Sequence, residues 1–354
     1  MSNTNKNAVE LSGAKPHGRE DEVMSPNKPV SALPASTQEP TLSDADAQQP
    51  SGRFLSAGFF YGAVAAVFYT VSALCVRQLV EMDSPYALPL FIRESVATLV
   101  ALPIVIVGLI RHTIPANQWR FWGLLFGVSC LMQVLGNITY IWLFDMAGIA
   151  IALSCVWMGG LFSAQTFDLL CLKERFNVRT FIGLTIVLAA VCCIGIGLGL
   201  SDNTLSDLSQ FGAGAIALII LGGLLVGIMN SSTMASVRVA HNNNVPFWVP
   251  ILIVPGSGTI VLGILSCMEH SSGILTALTY QQFGVAFLAG AANLIAFAAL
   301  VKGLGTTSLA YMNLLNASQV ALGALAGIFW FMEPSNGFII TGIILTIAAI
   351  LTAK

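Results

Sequence analysis

The sequence predicts an all-α polytopic membrane protein whose ten transmembrane helices form two inverted five-helix repeats. Three observations lead to this prediction: a charge-poor composition, ten apolar runs of spanning length, and collinear matches between the two halves of the chain. Of the 354 residues, 56% are hydrophobic and 9% are charged, against about 25% charged in an average soluble domain. So few charges cannot cover the surface of a soluble globule. The composition therefore excludes a soluble enzyme, a nucleic-acid-binding domain and a disordered protein.

The first 52 residues differ from the rest of the chain. Residues 1–52 contain 14 apolar residues and carry seven acids against four bases. Such a segment buries too little apolar area to offset the entropy lost on ordering. We therefore predict a disordered cytoplasmic tail. No cleavable signal peptide is predicted, because the first apolar run begins near Phe54 and is long enough to span.

Ten apolar runs follow the tail, each close to the roughly 20 residues that a spanning helix needs. The predicted spans are 54–79, 86–110, 119–143, 148–171, 178–200, 212–237, 246–268, 281–302, 306–330 and 336–353. The connecting loops are short, so no soluble catalytic domain is expected. A short turn is predicted at 144–147, between the third and fourth spans.

The basic residues of the predicted loops favour one side of the membrane. With a cytoplasmic N-terminus, the cytoplasmic side carries Arg53, Arg111, Arg120, Lys173, Arg175, Arg179, Arg238, Lys302 and Lys354. The opposite side carries Arg77 alone. Because Lys and Arg accumulate in cytoplasmic loops, we expect an integral protein of the cell (inner) membrane with both termini in the cytoplasm.

Matching residues recur in the two halves in the same order. At an offset of 161, Gly62, Arg77, Pro85 and Pro89 match Gly223, Arg238, Pro246 and Pro250. At an offset of 159, Glu174, Asn177 and Gly183 match Glu333, Asn336 and Gly342. Each unit holds five helices, an odd number, so the second unit must enter the membrane from the opposite side. Inverted repeats of this kind are typical of secondary transporters.

The repeat divides the chain into four parts. They are the tail at 1–52, a first repeat at 53–200, a linker loop at 201–211 and a second repeat at 212–354.

Three sequence features resemble one transporter family. They are Glu174 in the LKER run after the fourth span, the run FIRESVATLVALP at 91–103, and the small-residue run MAGIAIALSCVWMGGLFSA at 146–164. Over residues 54–354 the chain resembles the drug/metabolite transporter superfamily, specifically its EamA-type members. The resemblance implies a secondary carrier that exports a small metabolite in exchange for protons or another solute. It also implies a structural role for Glu174 and for its counterpart Glu333.

Arg93 and Glu94 are predicted to lie deep inside the second span. They stand about eight residues from its outer end, roughly 12 Å deep. Ionisable groups at that depth are costly and are functional candidates by default. They could bind a charged substrate group, Glu94 could carry a proton, or both could be structural. Adjacent helix residues point about 100° apart, so we expect no direct pairing between the two. In the second half, Val254 and Pro255 replace them.

Polar and aromatic residues near the middle of the membrane are further substrate-binding candidates. They are Gln133, Asn137, Trp157, Asn230, Asn293, Asn316 and Gln319, with Tyr69 and Tyr140 as additional aromatic groups. Amides at this depth either line a polar cavity or hydrogen-bond between helices. The aromatic rings offer stacking and cation–π contacts, or simply pack in the core.

Two further patterns predict structure. Asp168 precedes the Lys173-Glu174-Arg175 cluster and is expected to reach the cytoplasmic interface. Glycine pairs at 123/127, 223/227 and 323/327 have the four-residue spacing that permits close helix contact.

The leading functional hypothesis is a secondary active transporter of a small neutral, zwitterionic or amphipathic solute, working by alternating access. A nucleotide-sugar or organophosphate antiporter is the first alternative, although phosphate would require several basic residues in the cavity. A non-transporting scaffold or sensor is the second. An intramembrane enzyme is not expected, because no nucleophile–base set, metal site or carboxylate pair lies in a span. We expect no cofactor, no metal and no nucleic acid; the expected partners are the substrate, the lipid bilayer and protons as a coupling ion, and a homodimer stays open.

Overall fold

The computed structural model describes residues 57–82, 84, 87–115, 118–173, 177–201, 213–269, 278–330, 332 and 335–353. The predicted tail, nearly all of the predicted linker, Glu174 and Glu333 lie outside these residues. All regular structure within the described residues is helical.

The described helices follow the predicted apolar runs except at the third and fourth spans. They are α1 (Ala57–Glu81), α2 (Ala87–Ile110), α3 (Trp119–Leu131), a π segment (Met132–Asn137), α4 (Ile138–Leu170), α5 (Val178–Ser201), α6 (Ala213–Asn242), α7 (Trp248–Glu269), α8 (Tyr280–Leu304), α9 (Leu309–Trp330) and α10 (Gly337–Thr352). Eight stretches of the described chain are long and apolar enough to cross a membrane: α1, α2, α3 with the π segment, and α5 to α9. The helix α10 is shorter, with 16 residues. The protein is therefore an integral membrane protein built from helices.

The connection between the third and fourth predicted spans differs from the prediction. Helical backbone runs through 144–147 without a loop, so the predicted non-helical turn is wrong. The chain nevertheless turns back within α4. Thr139 packs 3.3 Å from a Cβ built on Gly222, and Cys155 packs against the next residue, Gly223. Sixteen residues of straight helix would separate Thr139 from Cys155 by about 24 Å, so α4 must bend sharply between them.

Contacts at the helix ends define two sides of the bundle. On one side, the start of α3 meets the end of α6, because Gln118 Nε2 donates to the Asn243 carbonyl at 3.2 Å. The end of α4 meets the start of α9 there through Asp168. On the other side, the start of α8 meets the end of α1, because Gln282 Nε2 donates to the Met82 carbonyl at 2.9 Å.

The helices pack in a regular set of pairs. Helix α2 packs on α7, α5 on α10, and α4 on α9. Helix α1 packs on α8 and α9, while α6 packs on α3 and α4. Every one of these contacts maps onto another, or onto itself, when each helix is exchanged with the one five places away in the order α1 to α10.

One of the three predicted glycine pairs makes a close helix crossing. Gly223 packs against Cys155, and Gly227 packs against the Val156 carbonyl, so α6 approaches the backbone of α4. By contrast, a Cβ built on Gly123 or Gly127 would meet nothing within 4 Å. Four-residue spacing alone therefore does not identify the crossing.

Contacts at two places in the bundle agree with the repeat offsets. The hydroxyls of Thr98 on α2 and Thr259 on α7 lie 2.9 Å apart, and the two residues are 161 positions apart. On α5, a Cβ built on Gly183 would lie 3.1 Å from the Ala349 carbonyl oxygen. On α10, a Cβ built on Gly342 would lie 2.7 Å from the Ala190 carbonyl oxygen. These two contacts are equivalent under the offset of 159, because Gly183 corresponds to Gly342 and Ala190 corresponds to Ala349.

Candidate functional site

A cavity of about 200 Å³ lies between α1, the π segment, α4, α6 and α9. Its polar lining consists of Tyr69, Asn137, Tyr140, Trp157, Asn230, Asn316 and Gln319. Its apolar lining consists of Met132, Val156, Val226 and Met234. No charged side chain is among these described lining residues. The cavity is therefore mostly apolar and aromatic, with several carboxamides, which is the usual composition of a small-molecule site.

The structure brings five of the nine predicted site residues to this cavity. They are Asn137, Trp157, Asn230, Asn316 and Gln319. Gln133 stands directly behind the lining, where its Oε1 accepts a hydrogen bond from Asn137 Nδ2. The remaining three, Arg93, Glu94 and Asn293, are not among the lining residues.

Three of the lining carboxamides have unused hydrogen-bonding groups. Among the described residues, the side chains of Asn230, Asn316 and Gln319 make no hydrogen bond to another protein group. The Asn316 side chain is 3% exposed, and its Oδ1 has no partner. Leaving a buried polar atom unpaired costs about 1–3 kcal/mol. These groups are therefore poised to pair with a bound molecule.

The π segment shapes one wall of the cavity. It runs from Met132 to Asn137, and both of these end residues line the cavity. A π turn inserts an extra residue into the helix and is found most often at functional sites. No feature of the sequence predicted it.

Arg93 and Glu94 form an ion pair, so the expectation that neighbouring residues cannot pair is wrong. Arg93 Nε and Nη2 both donate to Glu94 Oε1, at 3.0 and 2.6 Å. The Glu94 side chain is 8% exposed and that of Arg93 is 24% exposed. The helix does direct the two Cβ atoms apart, but the long arginine side chain folds back across that angle. Burial favours this geometry because each charge otherwise lacks a partner.

The ion pair lies close to the cavity. A Cβ built on Gly258 of α7 would stand 2.8 Å from Gln133 Nε2 and 2.9 Å from Glu94 Cγ, so both side chains pack on this glycine. Both charges also interact electrostatically with Tyr69. Gln133 therefore lies between the ion pair and Asn137 at the cavity wall.

Asn293 occupies a different place. It is buried on α8, with 8% of its surface exposed. Asn293 is not among the residues that line the cavity, unlike the five predicted residues above.

Asp168 lies near the end of α4 and is buried against the start of α9, a contact that the sequence did not predict; its place at the cytoplasmic interface stays a prediction. Its side chain is 3% exposed. Its Oδ2 accepts a hydrogen bond from the Ala310 amide at 2.7 Å, and its Oδ1 accepts from the Leu309 amide at 3.2 Å. The first amides of a helix have no partner within it and attract negative charge. The carboxylate of α4 therefore caps α9, a tertiary role that the adjacent basic cluster concealed.

Arg238 of α6 binds the turn that leads from α8 into α9. Its Nη1 donates to the Leu304 carbonyl and, at 2.6 Å, to the Thr307 carbonyl. Together with Asp168 it encloses the turn at 305–308 between α8 and α9. We call Asp168, Arg238 and this turn the clamp.

Sequence reasoning missed the apolar part of the lining. Met132, Val156, Val226 and Met234 carry no signal that separates them from the many apolar residues facing lipid or core. Only the packing of α4 against α6 brings Val156 and Val226 to the same wall.

Comparisons with known proteins support the fold alone. No protein-family model matches the chain. No curated protein matches it either. A solved structure described only as "Crystal structure of protein" is similar to it, with a TM-score of 0.63 and 16% sequence identity, over 84% of this chain and 96% of that one. At that identity the likeness shows that the two chains share a helical fold.

Proposed function

We propose that the protein is a secondary active transporter of a small metabolite, of the drug/metabolite transporter superfamily type, that works by alternating access between two inverted five-helix repeats. One observation carries the proposal. An uncharged cavity with free carboxamides lies between α1, α4, α6 and α9, which are two pairs of helices that the repeat exchanges. In secondary transporters the substrate binds near the midplane where inverted repeats meet.

The packing supports the inverted repeat. Thr98 contacts Thr259, its own counterpart at an offset of 161, as a residue on a two-fold axis must. The contacts of Gly183 with α10 and of Gly342 with α5 exchange under the offset of 159. Tyr69 and Asn230, which both line the cavity, are also counterparts at 161. The cavity therefore straddles the proposed axis.

The clamp supplies a candidate closed gate on one side. Asp168 belongs to the first repeat, and the α9 amides that it binds belong to the second. Its counterparts at offsets of 159 to 161 are Gly327, Ile328 and Phe329, which carry no charge. The carboxylate of the clamp thus has no charged counterpart at these offsets, whereas Arg238 has the counterpart Arg77. We infer that the structure represents a state in which the clamp side is closed, and that transport requires the clamp to open.

The observations favour this function over its two alternatives. A nucleotide sugar or organophosphate would need cationic groups for its phosphates, and the described lining has none. A cavity of about 200 Å³ is also small against the roughly 300–1,000 Å³ typical of drug-sized ligands. A scaffold has no need of unpaired carboxamides around a cavity, whereas a sensor also binds a ligand and is distinguished from a transporter by the accessibility experiment below.

Cysteine accessibility tests alternating access without knowledge of the substrate. Asn230→Cys and Asn316→Cys are placed separately in a variant in which the seven native cysteines are replaced. A membrane-impermeant thiol reagent is then applied to right-side-out and inside-out vesicles. A transporter predicts labelling of each position from both sides. Labelling from one side only, or from neither, would contradict the proposal and favour the scaffold. Thr185→Cys, an exposed position on α5 outside the cavity, controls for reagent that crosses the bilayer.

A further inference from the structure

We propose that the cavity binds an uncharged, planar solute whose edge carries a hydrogen-bond donor beside an acceptor, such as a nucleobase or a heteroaromatic carboxamide. This inference rests on the proposed function and narrows its substrate class. Four properties of the cavity lead to it: its charge, its hydrogen-bonding groups, its aromatic rings and its volume.

The charge of the cavity excludes ions and disfavours zwitterions. No charged side chain is among the described lining residues. The nearby guanidinium of Arg93 already holds Glu94 Oε1 through two nitrogens, so the pair offers no net charge to a solute. A buried charge without a counter-charge is very costly. A zwitterion would bring two such charges into the cavity, whereas an uncharged solute brings none.

The free groups of the cavity match a solute that both donates and accepts hydrogen bonds. The carboxamides of Asn230, Asn316 and Gln319 have no partner among the described protein groups. The buried Asn316 Oδ1 in particular needs a donor. An amide or lactam edge places a donor beside an acceptor, and asparagine and glutamine pair with such edges in two-bond geometry, as they do with adenine.

The aromatic residues favour a flat solute. Tyr69 approaches the cavity from α1, while Tyr140 and Trp157 approach it from α4. Flat rings stack on such side chains, as bases do in single-stranded nucleic-acid sites. An aliphatic solute of the same size would gain less from three rings.

The volume limits the size of the solute. A protein cavity of about 150 Å³ holds benzene, so a cavity of about 200 Å³ accepts a molecule moderately larger. One aromatic ring with a carboxamide, or one nucleobase, is of this size. A nucleoside phosphate is far larger.

Binding to the purified full-length protein in detergent tests the inference. The probes are nicotinamide, cytosine and adenine as uncharged planar solutes, with nicotinate and phenylalanine as charged ones. Nicotinamide and nicotinate share one shape and differ in charge. Calorimetry and thermal unfolding should show binding of at least one uncharged probe, and its Kd should be at least tenfold lower than that of either charged probe.

Matched variants locate the binding in the cavity. Asn316→Leu should weaken binding of the uncharged probe at least tenfold, and Gln319→Leu serves if that variant does not fold. Gln165→Leu is the control. Like Asn316, Gln165 carries a carboxamide whose oxygen has no partner, but it lies on α4 outside the cavity lining. It should bind as the unmodified protein does.

The outcomes separate the inference from the proposed function. Equal or tighter binding of nicotinate or phenylalanine would overturn the uncharged class, and so would failure of all three uncharged probes to bind. Loss of binding in Gln165→Leu but not in Asn316→Leu would overturn the assigned site. The cysteine accessibility experiment decides transport independently of every probe, so either conclusion can fail while the other stands.

Discussion

Thr98 of α2 and Thr259 of α7 meet through their hydroxyl oxygens at 2.9 Å, and they are separated by 161 residues. The same offset relates Gly62 to Gly223 in the sequence. Each hydroxyl also lies 3.1 Å from the backbone carbonyl oxygen one helical turn before it. This carbonyl belongs to Glu94 for Thr98 and to Pro255 for Thr259. Contact between two such equivalent residues is what the proposed two-fold axis between the repeats predicts.

A disulfide at this contact tests the axis. With the native cysteines replaced, Thr98→Cys and Thr259→Cys should cross-link under mild oxidation, because their hydroxyls are already in contact and a disulfide needs close Cβ atoms. A protease site is introduced in the predicted linker at 201–211. After cleavage, the disulfide should keep the two halves joined on a non-reducing gel. Thr98→Cys with Ile260→Cys is the control, since Ile260 is 54% exposed. Equal cross-linking of both pairs would refute the contact.

The reciprocal glycine contacts between α5 and α10 should not tolerate a methyl group. Gly183→Ala and Gly342→Ala would each place a Cβ within about 3 Å of the facing helix, and overpacking costs about 1–3 kcal/mol. Thermal unfolding in detergent should show a lower midpoint for both variants. Gly123→Ala is the control because a Cβ there meets nothing within 4 Å. If all three variants unfold alike, the close packing of α5 on α10 is wrong.

The clamp should contribute stability through the carboxylate of Asp168. Asp168→Ala leaves the Leu309 and Ala310 amides without their acceptor. Losing a helix cap costs about 0.5–2 kcal/mol, and burial of the site favours the upper end of that range. Asp168→Asn keeps one acceptor oxygen and should lose less. Thermal unfolding of the two variants checks this order, and an alanine variant as stable as the unmodified protein would contradict the capping role.

Removing one charge of the Arg93–Glu94 pair should lower the stability more than removing both charges. Glu94→Gln leaves a largely buried guanidinium without a counter-charge, and breaking a buried ion pair costs about 3–5 kcal/mol. Partial exposure of Arg93 should reduce the loss to the lower part of that range. The double variant Arg93→Gln/Glu94→Gln removes both charges and should recover most of the stability. No recovery would show that the two side chains act separately.

A flux assay of Glu94→Gln tests proton coupling. If the pH dependence of transport is unchanged in this variant, Glu94 has a structural role only.

The sequence predicted the helical membrane fold well because the length of apolar runs is a direct physical constraint. It also paired Gly183 with Gly342, whose contacts are reciprocal in the structure. Four of the five candidate residues that share one cavity are amides, and amides deep in a membrane avoid lipid and collect where helices leave space. Asn293 satisfies the same rule on α8 without reaching the cavity. Apolar residues surround every membrane helix, so sequence periodicity does not tell the cavity-facing side from a side facing another helix.

The remaining differences are tertiary. Pairing of Arg93 with Glu94 depends on side-chain length, which an argument from helix directions ignores. Capping by Asp168 depends on where α9 begins relative to α4. The bend within α4 depends on Thr139 near its start and Cys155 near its middle packing against Gly222 and Gly223, although no proline interrupts the helix between them.

The topology of three positions tests the five-plus-five inverted arrangement most directly. Thr113→Cys, Asn177→Cys and Ser335→Cys are made one at a time in the cysteine-replaced variant; all three positions are exposed and lie after α2, before α5 and before α10. Two crossings separate the first pair, so an impermeant thiol reagent should label Thr113→Cys and Asn177→Cys from the same side. Five crossings separate Asn177 from its repeat neighbour Ser335, so Ser335→Cys should label from the opposite side. Labelling of Thr113→Cys and Asn177→Cys from opposite sides would mean that α3 and α4 cross the membrane as one helix, and the inverted repeat would be wrong.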